Sequence, residues 1–325
     1  MLRFLLGFVL AAAAGCAAAQ PIADDNGAAS LAACRPLWIG MRGVPEHRER
    51  AVRDTTFVCH ARFLRPRPGP DDPHNGYLLS HDNVSKTPDW VIERLTRAGV
   101  SGNANRPGAA FKADPGVPPQ GRARDDDYPP RQSGFARGHM APSEDFNTSR
   151  QAMRETFFLS NTVPQRGARF NGSVWAALED ETRKAAIDRG AVYVITGPVR
   201  GPDGARSLTI AQSDNACGKS ITLDGPDVAQ FCQADSESYG EPCDEGGVGV
   251  PIGIFKIILT EDDAYAFVMP NRDHDRHGVP VRTYLEGFRV SIAALEAVTG
   301  LEFFRNIPEE TGRRLIEQCA PGTLW

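Results

Sequence analysis

Three apolar runs in the second half of the chain constrain the fold most: AVYVITGPV (191–199), VPIGIFKIIL (250–259) and AYAFVMP (264–270). Each is nearly continuous and rich in β-branched and aromatic residues, which predicts strands buried on both faces and adjacent in one sheet. Shorter runs at 55–62, 77–80 and 90–95 add further strand candidates, and 155–160 (ETFFLS) reads as another. Helical patterns cover 172–189, stopping at Gly190, and 292–298, where Ser291 can cap the start and Gly300 ends it. LEFF (301–304) returns as an edge strand. Strands and helices mix without strict alternation, so the chain is expected to be α+β rather than doubly wound.

The first residues, MLRFLLGFVLAAAAGCAAAQ, carry one cation, a short apolar run and an A-x-A pattern, which reads as a secretory signal over 1–19. A secreted or periplasmic protein follows, although Gly15-Cys16 also resembles a lipoprotein cleavage site, leaving a lipid anchor at Cys16 as the alternative. No later segment reaches the roughly 20 apolar residues of a membrane-spanning helix. Residues 20–33 are small and polar and read as a flexible tether, with a single domain over 34–325. Beyond Cys16 six cysteines remain, an even number suited to disulfides in an oxidising compartment. A Cys34–Cys59 bridge and one within the Cys217, Cys232, Cys243 cluster would close local loops. That cluster lies in a Gly, Asp and Cys rich insertion, 200–247, whose spacings do not suit zinc.

A formal net charge of −5 excludes a general polyanion magnet. Arg62, Arg65 and Arg67 cluster near His60 in a Pro and Gly rich loop, and solvated surface competes there with nucleic-acid contact. A second long Gly, Pro, Asp and Arg rich loop spans 101–132, a length that in a compact domain is functional or disordered. NRDHDRHG, with Asp273, His274, Asp275 and His277, reads as an exposed polar turn more readily than as a metal site.

The chemistry concentrates in 134–179, GFARGHMAPSEDFNTSRQAMRETFFLSNTVPQRGARFNGSVWAALE. Phosphodiester hydrolysis needs a base for water, cationic groups for the phosphate and oxygen ligands for a hard metal. His139, after Arg137 and Gly138, can be the base. Asn171 opens a helical pattern in which Glu179 lies two turns on, about 12 Å along the axis. It can offer an oxygen to Mg²⁺, or it can be a plain N-cap.

These residues together resemble the DNA/RNA non-specific endonucleases, the ββα-metal nucleases typified by the Serratia nuclease and mitochondrial endonuclease G. The resemblance rests on SGF-A-RGHMAPS, ETFFLSNTVPQ and FNGSVWAALE, with TPDWVIERL, VPIGIFKIIL, AYAFVMPN and VSIAALEAVTGLEFF further along, and covers about 55–307. It implies a ββα-metal fold, His139 as general base, Asn171 as direct metal ligand, Glu179 supporting the metal's water shell, Arg137 stabilising the site and Arg106 bracing the transition state. It also implies Asn161 and Gln165 at the substrate cleft, Mg²⁺ with Mn²⁺ able to substitute, DNA and RNA as substrates, and a homodimer as one assembly found among relatives. Ala136 stands where the family's D-R-G-H motif has aspartate. That departure keeps two rivals open: an impaired nucleic-acid or surface-binding protein on the same fold, and a phosphodiesterase for another substrate.

Overall fold

The computed structural model describes residues 24–48, 54–60, 76–106, 108, 110–128, 133–231 and 247–325. The signal reading, Arg62, Arg65, Arg67, Cys232 and Cys243 lie outside the described residues.

Seven strands form the central sheet: β1 (Thr55–His60), β2 (Tyr77–Asp82), β3 (Thr87–Thr96), β6 (Ala191–Val199), β11 (Gly253–Leu259), β12 (Ala264–Pro270) and β13 (Arg289–Val290). Their order is β13-β12-β11-β6-β3-β2-β1, and every neighbouring pair is antiparallel. The three apolar runs are adjacent, as their pattern predicts. They lack alternation because both faces are covered. Val91, Leu95, Val194, Ile254 and Ile258 pack on one side, while Trp90, Ile92, Ile195, Phe255 and Ile257 pack on the other. The first side also holds Glu93, Thr196 and Lys256, all buried.

β4 (Phe135–His139) and β5 (Thr162–Arg166) make a separate hairpin in which His139 faces Thr162 and Phe135 faces Arg166. Asn271, just beyond β12, pins it to the sheet. Its Nδ2 donates to the carbonyls of Pro164 and Pro251, both at 3.0 Å, and its Oδ1 accepts from the Arg166 N–H at 2.9 Å. After β5 the chain winds as a π-helix, Gly167–Trp175, and continues as α3, Ala176–Arg189. The helix predicted from 172 is therefore entered one wide turn early, and π segments of this kind gather at functional sites. Trp175, Phe170 and Leu178 bury this unit against the sheet face that carries Glu93 and Lys256.

Several expectations need correction. Residues 155–160 do not form a strand. α2 (Arg150–Glu155), capped by the Ser149 hydroxyl, runs into a turn and a 3-10 segment at Leu159–Asn161, and strand geometry starts only at Thr162. The apolar ETFFL pattern is used by a turn whose backbone is bonded by side chains, with Thr156 Oγ1 donating to Met153 O at 2.7 Å. Residues 24–33, expected within a tether, form α1 (Asp24–Ala33), as their alanine content favours. Cys34 pairs with Cys59, but Cys217 pairs with Cys319 rather than within its own cluster, because the hairpin of β7 (Ser207–Ile210) and β8 (Ile221–Asp224) lays Cys217 beside the C-terminal segment. Ile210, Ile221 and Leu223 of that hairpin join the second core, and β9 (Gln230–Phe231) pairs antiparallel with β10 (Val248–Gly249), so the start of the insertion is integral to the domain. No helix among the described residues is long and apolar enough to cross a membrane.

Candidate active site

The hairpin, the π-helix with the start of α3, and the loop over 101–128 enclose a cleft of about 1020 Å³. His139, Arg137 and Ala136 from β4, Arg106 and Phe111 from the loop, and Asn171, Glu179 and Arg183 from the helical arm all line it. With Asp125, Glu144 and Asp180 also in the lining, a base, a neutral oxygen, four carboxyls and three guanidinium groups share one hollow. Sequence alone pointed to most of them.

The loop is held by Asp114. Its Oδ2 lies 2.9 Å from His60 Nε2 and accepts from the Ser160 hydroxyl, while its Oδ1 accepts from the Gly116 N–H at 2.8 Å. Lys112 adds a bridge to Phe158. So anchored, the loop sets Phe111 against the His139 ring at 5.1 Å between centroids, with Phe157 edge-on at 5.0 Å from another direction. The His139 ring is partly exposed, yet Nε2 is shielded and has no hydrogen-bond partner. Burial first, then the positive field of Arg106, pushes its pKa down to about 4, against a weaker upward pull from Glu144. At neutral pH the imidazole is therefore uncharged, with a free lone pair or N–H at Nε2.

Arg137 lies over the rings of Phe111 and Tyr128, 5.6 and 5.5 Å from their centroids, and pairs with Asp125 at 2.7 Å. Asp125 was not foreseen from the sequence. It lies in the DDD segment of the loop, eight positions before the first motif residue, Ser133, and only the tertiary fold brings it beside Arg137. Arg106 stacks over Phe157 at 5.3 Å and reaches Glu144 at 3.4 Å.

Asn171 sits inside the π-helix, away from its N-cap Arg166, so the capping role weighed for it does not apply. Its side chain lines the cleft. Glu179 lies beyond the turn, and burial lifts its pKa to about 8, with Asp145 adding to the rise and Lys256 opposing it. A carboxyl held in this way suits a cation arriving nearby, which would return it to its charged form. Among the described residues no group of three His, Cys, Asp or Glu side chains gathers as a chelating set. Of the carboxyl groups lining the cleft, Asp125, Glu144 and Asp180 are paired with Arg137, Arg106 and Arg183, which leaves the Asn171 amide oxygen and the Glu179 carboxyl for a hard cation that keeps most of its coordination as water and substrate oxygens. Arg183, one turn after Glu179, also lines the cleft and bonds Asp145 at 2.7 Å. Its i+4 spacing from Glu179 was the available sequence signal.

Asn161 and Gln165 are not in the cleft. Asn161 is fully buried. It accepts from the Ala141 N–H at 3.0 Å and donates to the carbonyls of Ala141 and Thr156 at 2.9 and 3.0 Å. Gln165 is equally buried beneath Gly138, where an added Cβ would meet its side chain at 2.0 Å. Both lie under the hairpin; Asn161 ties down the chain just beyond His139, whereas the Gln165 amide is buried with neither Oε1 nor Nε2 hydrogen-bonded. The NRDHDRHG turn is only partly exposed, because His274 is buried. Its Nδ1 lies 3.0 Å from the Tyr284 hydroxyl and its Nε2 2.9 Å from Pro270 O, so both ring nitrogens are engaged.

A hairpin delivering R-G-H, followed by a helix delivering N-x-x-x-W-x-x-L-E, is the ββα-metal nuclease arrangement, and comparison with known proteins agrees. The family described as DNA/RNA non-specific endonuclease matches residues 66–310, and the chain belongs to that family. It is 32% identical over 324 residues to the mitochondrial nuclease EXOG of Danio rerio, covering 98% of this chain and 78% of that one. It is also 32% identical over 253 residues to the mitochondrial nuclease of Saccharomyces cerevisiae, covering 74% and 68%. The EndoG/EndoGI complex structure superposes with a TM-score of 0.56 at 29% identity, covering 80% of this chain and 91% of that one. The chain is thus a phosphodiester hydrolase of the nuclease class.

Proposed function

We propose that the chain is an exported, Mg²⁺-dependent endonuclease that cuts both DNA and RNA, with Mn²⁺ able to replace Mg²⁺. The observation that carries this is the uncharged His139, its Nε2 unpartnered, in the same cleft as Asn171 and Glu179. His139 takes the proton of the attacking water. Arg106, Arg137 and Arg183 hold the phosphate and the charge that grows on it. Asn171 Oδ1 would hold the cation directly, with the Glu179 carboxyl supporting the rest of its coordination. The bound cation supplies charge stabilisation at the leaving oxygen. Cleavage by this route leaves a 5′-phosphate and a 3′-hydroxyl.

Export is supported by the signal-like first residues and by two disulfides among the described residues, which favour an oxidising compartment. The test is incubation of the purified chain with plasmid DNA and with RNA, in Mg²⁺ or chelator, beside His139→Ala. Metal-dependent degradation lost in the variant is expected. Intact substrate with retained gel retardation would instead mark a binding protein on this fold, and intact nucleic acid with turnover of small diesters would mark a different phosphodiesterase.

A further inference from the structure

A second hollow, of about 520 Å³, adjoins the cleft and shares Phe135 with it. Phe135, Arg137 and His139 alternate onto one face of β4, so Phe135 lies about 13 Å along the strand from the base. A polynucleotide strand following that face passes from His139 over Arg137 and reaches Phe135 a few nucleotides away. There the wall changes character. Arg166 lies over the Phe135 ring at 5.1 Å, and Phe231 meets the same ring edge-on at 5.0 Å. Val228 and Asp227 close the hollow from the insertion, with Asp273 at its other side.

The charges here disfavour a phosphate. Arg166 pairs with Asp273 at 3.3 Å, Arg272 pairs with Asp224, and Asp227 is exposed. What remains is the part-exposed Arg166 guanidinium, backed by the Phe135 ring and flanked by carboxylate acceptors. Such a surface stacks a nucleobase and accepts hydrogen bonds from exocyclic amino groups, as carboxylates do from cytosine. The volume is adequate for one base.

We propose that this hollow is a base-binding subsite for a nucleotide of the strand being cut, and that it favours amino-bearing bases over thymine and uracil; the inference rests on the nuclease reading above. The insertion thereby acquires a role, since Asp227, Val228 and Phe231 belong to it.

The test is fluorescence anisotropy with labelled single-stranded oligodeoxycytidylate and oligothymidylate in Mg²⁺, using the His139→Ala chain as the cleavage-silent parent. Phe135→Ala and Val228→Trp are each added to it. The second variant fills the hollow from a partly exposed position that does not line the main cleft. The parent is expected to prefer the cytidylate, and each variant to bind it about tenfold more weakly, the effect of losing one stacked base, with the preference erased. Equal binding by all three chains, or a parent that binds neither oligonucleotide, overturns the proposal. Failure of the nuclease reading would show separately, as a wild-type chain that binds the strand and does not cut it.

Discussion

Arg137 reaches Asp125 through Nη2, which lies 2.7 Å from the carboxylate Oδ1 and 3.1 Å from the Asp125 carbonyl oxygen. The guanidinium beside His139 thus takes its anion from a loop residue, while the position before it in β4 is Ala136. Asp125 supplies, from the loop, a carboxylate to the arginine of a motif in which Ala136 offers none. Removing Asp125 should then cost activity in this chain. Asp125→Ala is expected to lower kcat/KM on DNA about tenfold, the usual effect of losing a partner that orients a site residue, and Ala136→Asp to restore it in the double variant. If Asp125→Ala is silent while Ala136→Asp alone raises the rate, this role for Asp125 fails.

The pH profile follows from His139. Its pKa is lowered to about 4 by burial and by Arg106, so the base form persists far into acid. The acid limb of kcat/KM is expected near pH 4 rather than near 6.5. An NMR titration of the metal-free protein should show the same value, moving upward in Arg106→Gln as the positive field is removed. A limb at the ordinary imidazole value would count against the packed geometry of Phe111 and Phe157.

Glu179 makes an opposite demand on stability. Its carboxyl releases a proton at about 8 in the folded chain, against 4.5 for an unperturbed glutamate. Between those pH values unfolding releases that proton, so rising pH favours the unfolded state. In chelator, the Tm of the wild type is expected to fall across this window more steeply than that of Glu179→Gln. Mg²⁺ should flatten the wild-type slope. Parallel curves for the two proteins would refute the assignment.

Asn161 is a structural clamp, and its variants should behave accordingly. Asn161→Ala leaves two buried carbonyls and one buried N–H without partners, which is expected to cost about 3 kcal/mol or more in urea unfolding. Activity measured well below the unfolding midpoint should also fall, because Ala141 is two residues beyond His139. A variant of unchanged stability with raised KM alone would return Asn161 to the substrate.

The Cys217–Cys319 bridge closes a segment with a sequence separation of 102. Loop-closure entropy sets its contribution at about 4 to 5 kcal/mol. The Cys217→Ser, Cys319→Ser double variant is expected to lose that stability while keeping the fold of the cleft, which calorimetry and far-ultraviolet dichroism can check.

Much of this was legible beforehand because certain signals are local. The runs at 191–199 and 264–270 declare themselves as strands without reference to anything distant, and R-G-H with N-x-x-x-W-x-x-L-E carries its spacing in the chain. What stayed hidden depends on contacts between distant segments. ETFFLS has a strand's composition, but Asn161 and Thr156 bind the backbone into a turn. Asn161 and Gln165 sit in a motif beside the site, yet the pleat of β5 and the absence of a Cβ at Gly138 send Gln165 underneath. Asp125 and Phe111 belong to a loop with no periodicity, placed over His139 only through Asp114 and its bonds to His60 and Ser160. Cys319 is remote in sequence from Cys217 and adjacent in space only because the β7–β8 hairpin folds against the C-terminus.

Asn271 has a consequence for how such a protein can diversify. By bonding Pro164, Arg166 and Pro251 at once, one side chain fastens the hairpin bearing His139 directly to the central sheet. The side chains of the insertion over 225–231 can therefore be exchanged without the reacting groups shifting register. If the second hollow holds a base, recombination of that segment among relatives is a route to altered nucleotide choice at constant turnover.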